Sequence, residues 1–347
     1  MLSSPGRGSG MNATPIIELR GVSKRFGPTH DGVARLARSV SRRFGAAQRN
    51  EIVQAVDSVD LSVARGEVVG LVGESGCGKS TLGRMVAGIM PPSDGTVLFK
   101  GQDIATLAPD RARDAKLKVQ MIFQDPYASL NPRLRVEDIV GEAPLVHGLV
   151  SRGELNGYLD AQLRRAGLDP GYRRRYPHQF SGGQRQRIGI ARALAVQPEF
   201  LVCDEAVAAL DVSIQAQILN LFMDLRRELD LTYLFISHDL GVVEHLSDRV
   251  LIMYLGRIVE SAPAEEVFAR ANHPYTQALL AEVPRIEIRK RHFTAITGEI
   301  PSPLTPPPGC HFHPRCPHAM PRCSQEAPRL REIAPGHRSA CHLNDGS

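Results

Sequence analysis

Residues Gly73 to Thr81 read GESGCGKST and follow directly on the apolar run EVVGLV. The pattern G-x-x-x-x-G-K-[ST] works only where a strand ends and a helix begins. Its glycines let the chain curl so that backbone N–H groups face an anion, and the helix N-terminus adds partial positive charge. Lys79 then reaches the β- and γ-phosphates of a nucleotide, and the Ser80 hydroxyl ligates Mg²⁺. A chance glycine-rich turn would need neither the lysine, the serine nor the upstream strand. Gly73, Glu74, Ser75, Gly76, Cys77, Gly78, Lys79, Ser80 and Thr81 are therefore candidate phosphate-binding residues, and the chain should be α/β.

The surrounding sequence agrees with that class. EVVGLVG, VQMIF, FLVCDE, TYLFISH and RVLIMYLGRIVE are strand candidates separated by longer helix-like stretches, the alternation of a mostly parallel sheet flanked by helices. From about 125 to 196 helix formers dominate and no strand pattern stands out, so a helical subdomain is expected there. Residues 1–12 are small and polar and read as a flexible tail. Proline becomes frequent after about 262, culminating in PSPLTPPPG, which sets a boundary near 265 between a large domain, 13–265, and a small cysteine-rich extension, 266–347. With 42% hydrophobic and 23% charged residues the chain is not of the disordered class, and its net charge of +5 admits an anionic partner without choosing one. No apolar run approaches the roughly 18 to 20 residues of a membrane span, and MLSSPGRGSGMNATP lacks the apolar core of a secretory signal, so a cytoplasmic location is expected.

FLVCDE places two carboxylates at a strand end. Asp204 is expected to hold Mg²⁺, and Glu205 to polarise the attacking water as general base, although paired acids after a strand also serve as helix caps.

FSGGQRQR, Phe180 to Arg187, joins these pieces. Together with the phosphate loop and the paired acids it resembles the nucleotide-binding subunit of ATP-binding cassette (ABC) transporters. The resemblance implies a P-loop cassette with a mostly parallel core sheet, an antiparallel N-terminal β part and the helical subdomain. It implies that Ser181, Gly182, Gly183 and Gln184 act in trans, on ATP held by a second subunit, so that one chain is half of each active site. It further implies that Gln124 in MIFQDP touches Mg²⁺ and senses the membrane subunit, that His238 in FISHDL contacts the γ-phosphate and orients Glu205, and that Asp211 in AALD makes a dimer contact. DEAVAALD departs from the family's usual DEPTSALD or DEPVSALD, with Ala206 and Ala208 at the proline and serine positions. Neither position carries hydrolytic chemistry, so activity is still expected.

Either Phe26 in KRFG or Phe44 in RRFG can stack on adenine, since stacking needs only an apolar π-face. Between them Val33, Leu36, Val40 and Phe44, with Arg35, Arg38, Arg42 and Arg43, have the spacing of a short basic amphipathic helix. Such a helix suits lipid headgroups or a membrane subunit, or equally a helix packed on its own domain with solvated arginines.

HPYTQALL, GEIPSPLTPPPGC and the F-x-P-R-C-P of residues 312–317 extend the resemblance to the C-terminal region of oligopeptide and dipeptide importers, and the wording is similar to their second ATPase subunit. Peptide is the implied cargo, with nickel, opine or sugar as alternatives. The implied partners are a second homologous ATPase subunit in a heterodimer, or another copy in a homodimer, two transmembrane permease subunits and, indirectly, an extracytoplasmic binding protein. No nucleic acid is expected. The place of action would be the cytoplasmic face of the inner membrane. A soluble cassette ATPase working on ribosomes or DNA is the alternative of another class; such proteins usually carry two cassettes or a long coiled coil, and neither pattern is present here. Cys310, Cys316, Cys323 and Cys341, separated by five, six and seventeen residues, lack the tight pairs of zinc ribbons. Their spacing suits a cubane, and the resemblance implies a [4Fe–4S] cluster; His311, His313, His318 and His342 keep zinc open.

Overall fold

In the computed structural model, residues 14–27, 52–282 and 298–345 are described. The tail 1–12, the basic amphipathic segment and Phe44 lie outside these residues. Among the described residues twelve strands form, in chain order: β1 Ile17–Phe26, β2 Val53–Val63, β3 Val68–Val72, β4 Asp94–Phe99, β5 Gln102–Asp103, β6 Val119–Ile122, β7 Phe200–Asp204, β8 Thr232–Ile236, β9 Arg249–Tyr254, β10 Arg257–Pro263, β11 Arg331–Ala334 and β12 His337–Ser339.

The strand that feeds the phosphate loop sits deepest. All five residues of β3, VVGLV, are buried. Continuous burial on both faces is what a parallel strand covered by helices requires, and each Val or Leu so buried contributes about 1.5 to 3 kcal/mol. The helix Leu240–Leu246 lies so close to β3 that a Cβ at Gly70 would come within 2.4 Å of Val243 Cγ1. The core sheet runs β11-β12-β10-β9-β3-β8-β7-β6, with β9, β3, β8, β7 and β6 mutually parallel and β10, β12 and β11 added antiparallel. A second, wholly antiparallel sheet of order β2-β1-β4-β5 packs its apolar face, including Ile17, Leu19, Val56 and Leu61, into one core with β3 residues Val69 and Leu71 and the helix Lys79–Val86.

Between β6 and β7 the described residues form helices and no strand: Pro126–Ser129, Val136–Val146, Leu155–Arg165 and Gly182–Leu194. Ile139, Val140, Leu159, Leu163, Ile188 and Ala191, at helical spacing, bring them into one core with Leu201 and Phe222. Among the described residues no helix is long and apolar enough to cross a membrane.

One expectation is corrected. RVLIMYLGRIVE is two strands, β9 and β10, which reverse at Leu255 (φ 40°) and Gly256 (φ 82°). An unbroken apolar run conceals such a turn, because only the left-handed glycine marks it. The extension also joins the core sheet across the boundary placed near 265. Strand β12 pairs with β10 through Glu260↔Ser339 and Ser261↔Arg338, so the extension prolongs the core sheet. The junction is a buried polar knot. The Glu260 carboxylate, 0% exposed, accepts the backbone N–H groups of Asn272 (2.8 Å) and His273 (2.9 Å) and meets His337 Nε2 at 2.7 Å. Asn272 and Asn344 exchange side-chain hydrogen bonds beside it, at 3.1 and 2.9 Å. His273 Nδ1 accepts the Tyr275 N–H (3.1 Å) and so caps the helix Pro274–Ala281. Burial pushes the pKa of His273 down to about 4, against an opposing hydrogen bond that the imidazole donates to the Ala340 backbone. The imidazole is therefore neutral at pH 7, as an acceptor must be.

Candidate active site

The loop between β3 and the helix Lys79–Val86 is shaped by close approach. A Cβ on Gly73 would lie 2.1 Å from Met253 O, and one on Gly78 (φ 108°) would lie 2.1 Å from Ala55 O. Glycine is thus required on both sides of the turn, where β9 and β2 press against it. Lys79, 5% exposed, donates from Nζ to Gly73 O (2.7 Å) and Glu74 O (2.9 Å), which ties its ammonium across the loop. Glu74, Ser75, Gly76 and Cys77 make the turn between Gly73 and Gly78, with Cys77 buried and Ser75 and Gly76 exposed; Ser80 and Thr81 continue the helix.

The parallel register brings the other candidates to the same sheet end. Ile122 pairs with Cys203, Cys203 with Phe235, and Asp204 with Ile236, so the residues just beyond β6, β7 and β8 emerge together. Ser80 Oγ donates to Asp204 Oδ1 at 2.8 Å. Burial raises the Asp204 carboxyl above the usual range, while the Ser80 hydrogen bond works against it. Glu205 follows in the left-handed region (φ 46°), a strained conformation for a residue with a Cβ, held by its N–H donating to Ile236 O at 3.0 Å. Gln124 Nε2 donates to Glu205 Oε2 at 2.6 Å, and His238 Nδ1 lies 3.3 Å from Oε1. The Glu205 side chain is 16% exposed and that of His238 58%, so the carboxylate is sheltered while the imidazole faces solvent.

Of the three residues expected from sequence around Mg²⁺, Ser80 and Asp204 are hydrogen-bonded to each other, and Gln124 donates to the neighbouring Glu205. The pair fits the ion: a hydroxyl oxygen and a carboxylate, mutually 2.8 Å apart and part-buried, are the hard donors Mg²⁺ takes in few numbers alongside phosphate and water.

Other candidates lie apart from this cluster. Ser181 caps the helix Gly182–Leu194 in a capping box: its hydroxyl accepts the Gln184 N–H (3.3 Å), and Gln184 Oε1 accepts the Ser181 N–H (3.0 Å). A Cβ on Gly183 would fall 2.5 Å from Ile214 Cγ2, so this helix start is packed on the helix Val212–Leu229 that Asp211 precedes. Among the described residues, no hydrogen bond links Ser181, Gly182, Gly183 or Gln184 to the phosphate loop. Phe26 ends β1 at 40% exposure, with Lys24 Nζ 5.5 Å from its ring centre.

The described residues do not support the cluster or zinc expected at the cysteines. Cys310 N–H donates to Cys323 O at 2.8 Å, which folds the extension back on itself. Burial pushes the Cys310 thiol up to about 11, and Cys323, Cys341 and Cys316 act in the same direction. Burial likewise raises Cys316 and Cys341. Among the described residues, no three His, Cys, Asp or Glu side chains stand where they could hold a metal ion. Cys310 and Cys316 pack against the buried cluster around Tyr254, Tyr275 and Phe312, which gives the segment an apolar footing.

Two residues next to the phosphate loop escaped the sequence reading. Arg315 grips the Glu74 carboxylate, and Tyr275 Oη accepts the Glu74 N–H. The signal was present in the words HPYTQALL and F-x-P-R-C-P, which carried family resemblance but no assigned chemistry.

Comparison with known proteins places the chain in a family. Residues 56–208 match the family described as ABC transporter, and residues 259–323 match the oligopeptide/dipeptide transporter C-terminal region. An oligopeptide transport ATP-binding protein of Bacillus subtilis, AppF, is 49% identical over 336 residues, 96% of this chain and 98% of that one. A putative peptide import ATP-binding protein of Brucella ovis is 46% identical over 332 residues, 95% of this chain and 98% of that one. Among solved structures, the cbiO1 subunit of a Clostridium perfringens ABC transporter complex aligns with a TM-score of 0.60 at 26% identity, over 74% of this chain and 92% of that one. A dimeric ATP-binding cassette in a post-hydrolysis state with ADP and phosphate aligns with a TM-score of 0.59 at 26% identity, over 72% of this chain and 98% of that one.

Proposed function

The chain belongs to the ATP-binding subunits of ABC transporters, in the branch with the oligopeptide/dipeptide C-terminal region, and from that premise we propose that it hydrolyses ATP to energise peptide import. One observation carries the catalytic part. Glu205 is held between Gln124 and His238 immediately after Asp204, whose carboxylate is bonded to the Ser80 hydroxyl of the phosphate loop.

Lys79 holds positive charge beside the loop carbonyls, where the β- and γ-phosphates of ATP would lie against the glycine N–H groups. Mg²⁺, held by Ser80 and Asp204, would neutralise charge developing on the phosphates. Glu205 takes a proton from the attacking water, and the strained backbone with its two side-chain partners fixes where the carboxylate points. His238, largely exposed on the opposite side of that carboxylate, is placed to meet the γ-phosphate. Gln124 links the base to the segment that leads into the helical subdomain, which suits it to report contact with a membrane subunit.

The second half of the site comes from another subunit. Ser181, Gly182, Gly183 and Gln184 start a thirteen-residue helix whose N-terminus can stabilise phosphate, and a second cassette facing this one would supply it, with Asp211 at the contact. Support comes from the dimeric cassette among the similar structures. The partner is a homologous ATPase or a second copy, both docked on two permeases at the cytoplasmic face of the membrane, with an extracytoplasmic receptor delivering peptide. Of the two aromatic candidates, Phe26 takes the adenine in this reading, as an exposed ring at a strand end.

Phosphate release from MgATP at rising concentrations of the chain, with and without the homologous partner, tests the two-chain site. Specific activity should climb as the subunits associate. Activity strictly proportional to the amount of this chain over a wide dilution range would mean that each chain hydrolyses alone.

A further inference from the structure

The C-terminal extension reaches the phosphate loop at Glu74. The Arg315 guanidinium meets the Glu74 carboxylate with both prongs, Nη1 to Oε2 at 2.8 Å and Nη2 to Oε1 at 2.9 Å. The Arg315 side chain is 5% exposed and that of Glu74 19%, so the fork is little screened and geometrically specific. A second contact fixes the backbone of the same residue, since Glu74 N–H donates to Tyr275 Oη at 2.9 Å. Both partners stand on one aromatic cluster. Tyr254 and Tyr275 have centroids 4.6 Å apart, Phe312 lies 5.3 Å from each, and Arg315 Nη1 also donates to Tyr254 Oη at 3.3 Å. Phe312 and Arg315 lie between Cys310 and Cys316, so the fold of the cysteine segment decides where the guanidinium stands.

The loop is sensitive to this residue. Lys79 Nζ donates to Glu74 O, so a displaced Glu74 moves an acceptor of the ammonium that faces the phosphates. A purely structural ion pair would fasten the extension and leave the loop indifferent. Here side chain and main chain of a loop residue are both held from outside the loop.

We propose that Arg315 is a positioning residue for ATP: acting through Glu74, it holds the phosphate loop in its nucleotide-receiving shape, so that docking of the C-terminal extension sets ATP affinity. This rests on the ATPase reading above and adds a regulator to its site.

MgATP binding by titration calorimetry, together with KM and kcat for hydrolysis, is to be measured on the full chain for Arg315→Ala, Arg315→Lys, Glu74→Ala and the double alanine variant. Arg315→Ala should weaken binding about tenfold and raise KM by a similar factor with kcat within about twofold, the split that loss of uniform binding produces. Arg315→Lys should recover part of the affinity, since charge returns without the fork. In the Glu74→Ala background, Arg315→Ala should add nothing, because the two act as one unit. Unchanged affinity in Arg315→Ala, or a loss that persists in full in the Glu74→Ala background, overturns the proposal. Should Arg315→Ala fail to fold, Glu74→Gln reads the same contact from the other side, and unchanged ATP affinity there is equally fatal. If the wild type binds ATP and shows this pattern in calorimetry but releases no phosphate, the ATPase reading falls and the brace stands. Normal hydrolysis with insensitive variants sinks the brace alone.

Discussion

Glu205→Gln should bind MgATP as tightly as the wild type and release phosphate at least about 10²-fold more slowly, within the 10²- to 10⁴-fold range typical of a lost general base. The substitution is nearly isosteric. The Gln124 side chain still finds an oxygen acceptor, and the Ser80–Asp204 pair is untouched. What disappears is the ability to take a proton at the one carboxylate held between Gln124 and His238. ATP should therefore persist unhydrolysed on the variant, and association of the subunits should be prolonged because the γ-phosphate that favours it stays in place. Single-turnover phosphate release is the measurement, and turnover near the wild-type rate would remove Glu205 from the role of base.

Lys79→Ala should fail one step earlier. The ammonium is buried and makes charge-assisted hydrogen bonds to Gly73 O and Glu74 O. The same charge must face the phosphates, and a charge-assisted hydrogen bond there is worth about 1.5 to 3 kcal/mol, so a loss of about 10- to 10²-fold in ATP affinity is expected. Equilibrium binding of MgATP checks it. The helix Lys79–Val86 is anchored by Leu82, Met85 and Val86, all buried, so the variant should still melt cooperatively, at a lowered temperature because the two loop hydrogen bonds are lost. Retained micromolar binding would show that the loop backbone alone holds the nucleotide.

How much of this was legible in the sequence follows from what kind of constraint each residue obeys. The phosphate loop was legible because lysine, serine and glycines at fixed spacing follow an apolar run, and β3 is buried along its whole length as that run requires. The paired acids were legible for the same local reason. Gln124 and His238 were placed by resemblance, and their meeting on Glu205 depends on the parallel register of β6, β7 and β8, which no local pattern encodes. The short strands β11 and β12, REIA and HRS, carry no alternating apolar signal and owe their pairing to a buried carboxylate, Glu260. Arg315 and Glu74 are 241 residues apart in the chain, and a contact of that kind leaves no periodicity to read. The cysteine cluster was read from spacing and resemblance, and no group of three metal-ligating side chains among the described residues supports it, while Cys310 and Cys316 pack against the cluster around Phe312.

The central claim is that ATP turnover at this site drives peptide across a membrane. Its most direct test is uptake of a labelled oligopeptide into proteoliposomes that carry the two permeases, the chain with its homologous partner ATPase, and the binding protein on the outer side, with MgATP trapped within. Peptide should accumulate with wild-type chain and stop with Glu205→Gln despite bound ATP. Equal accumulation with the variant, or none with the wild type while it hydrolyses ATP freely, would contradict the account.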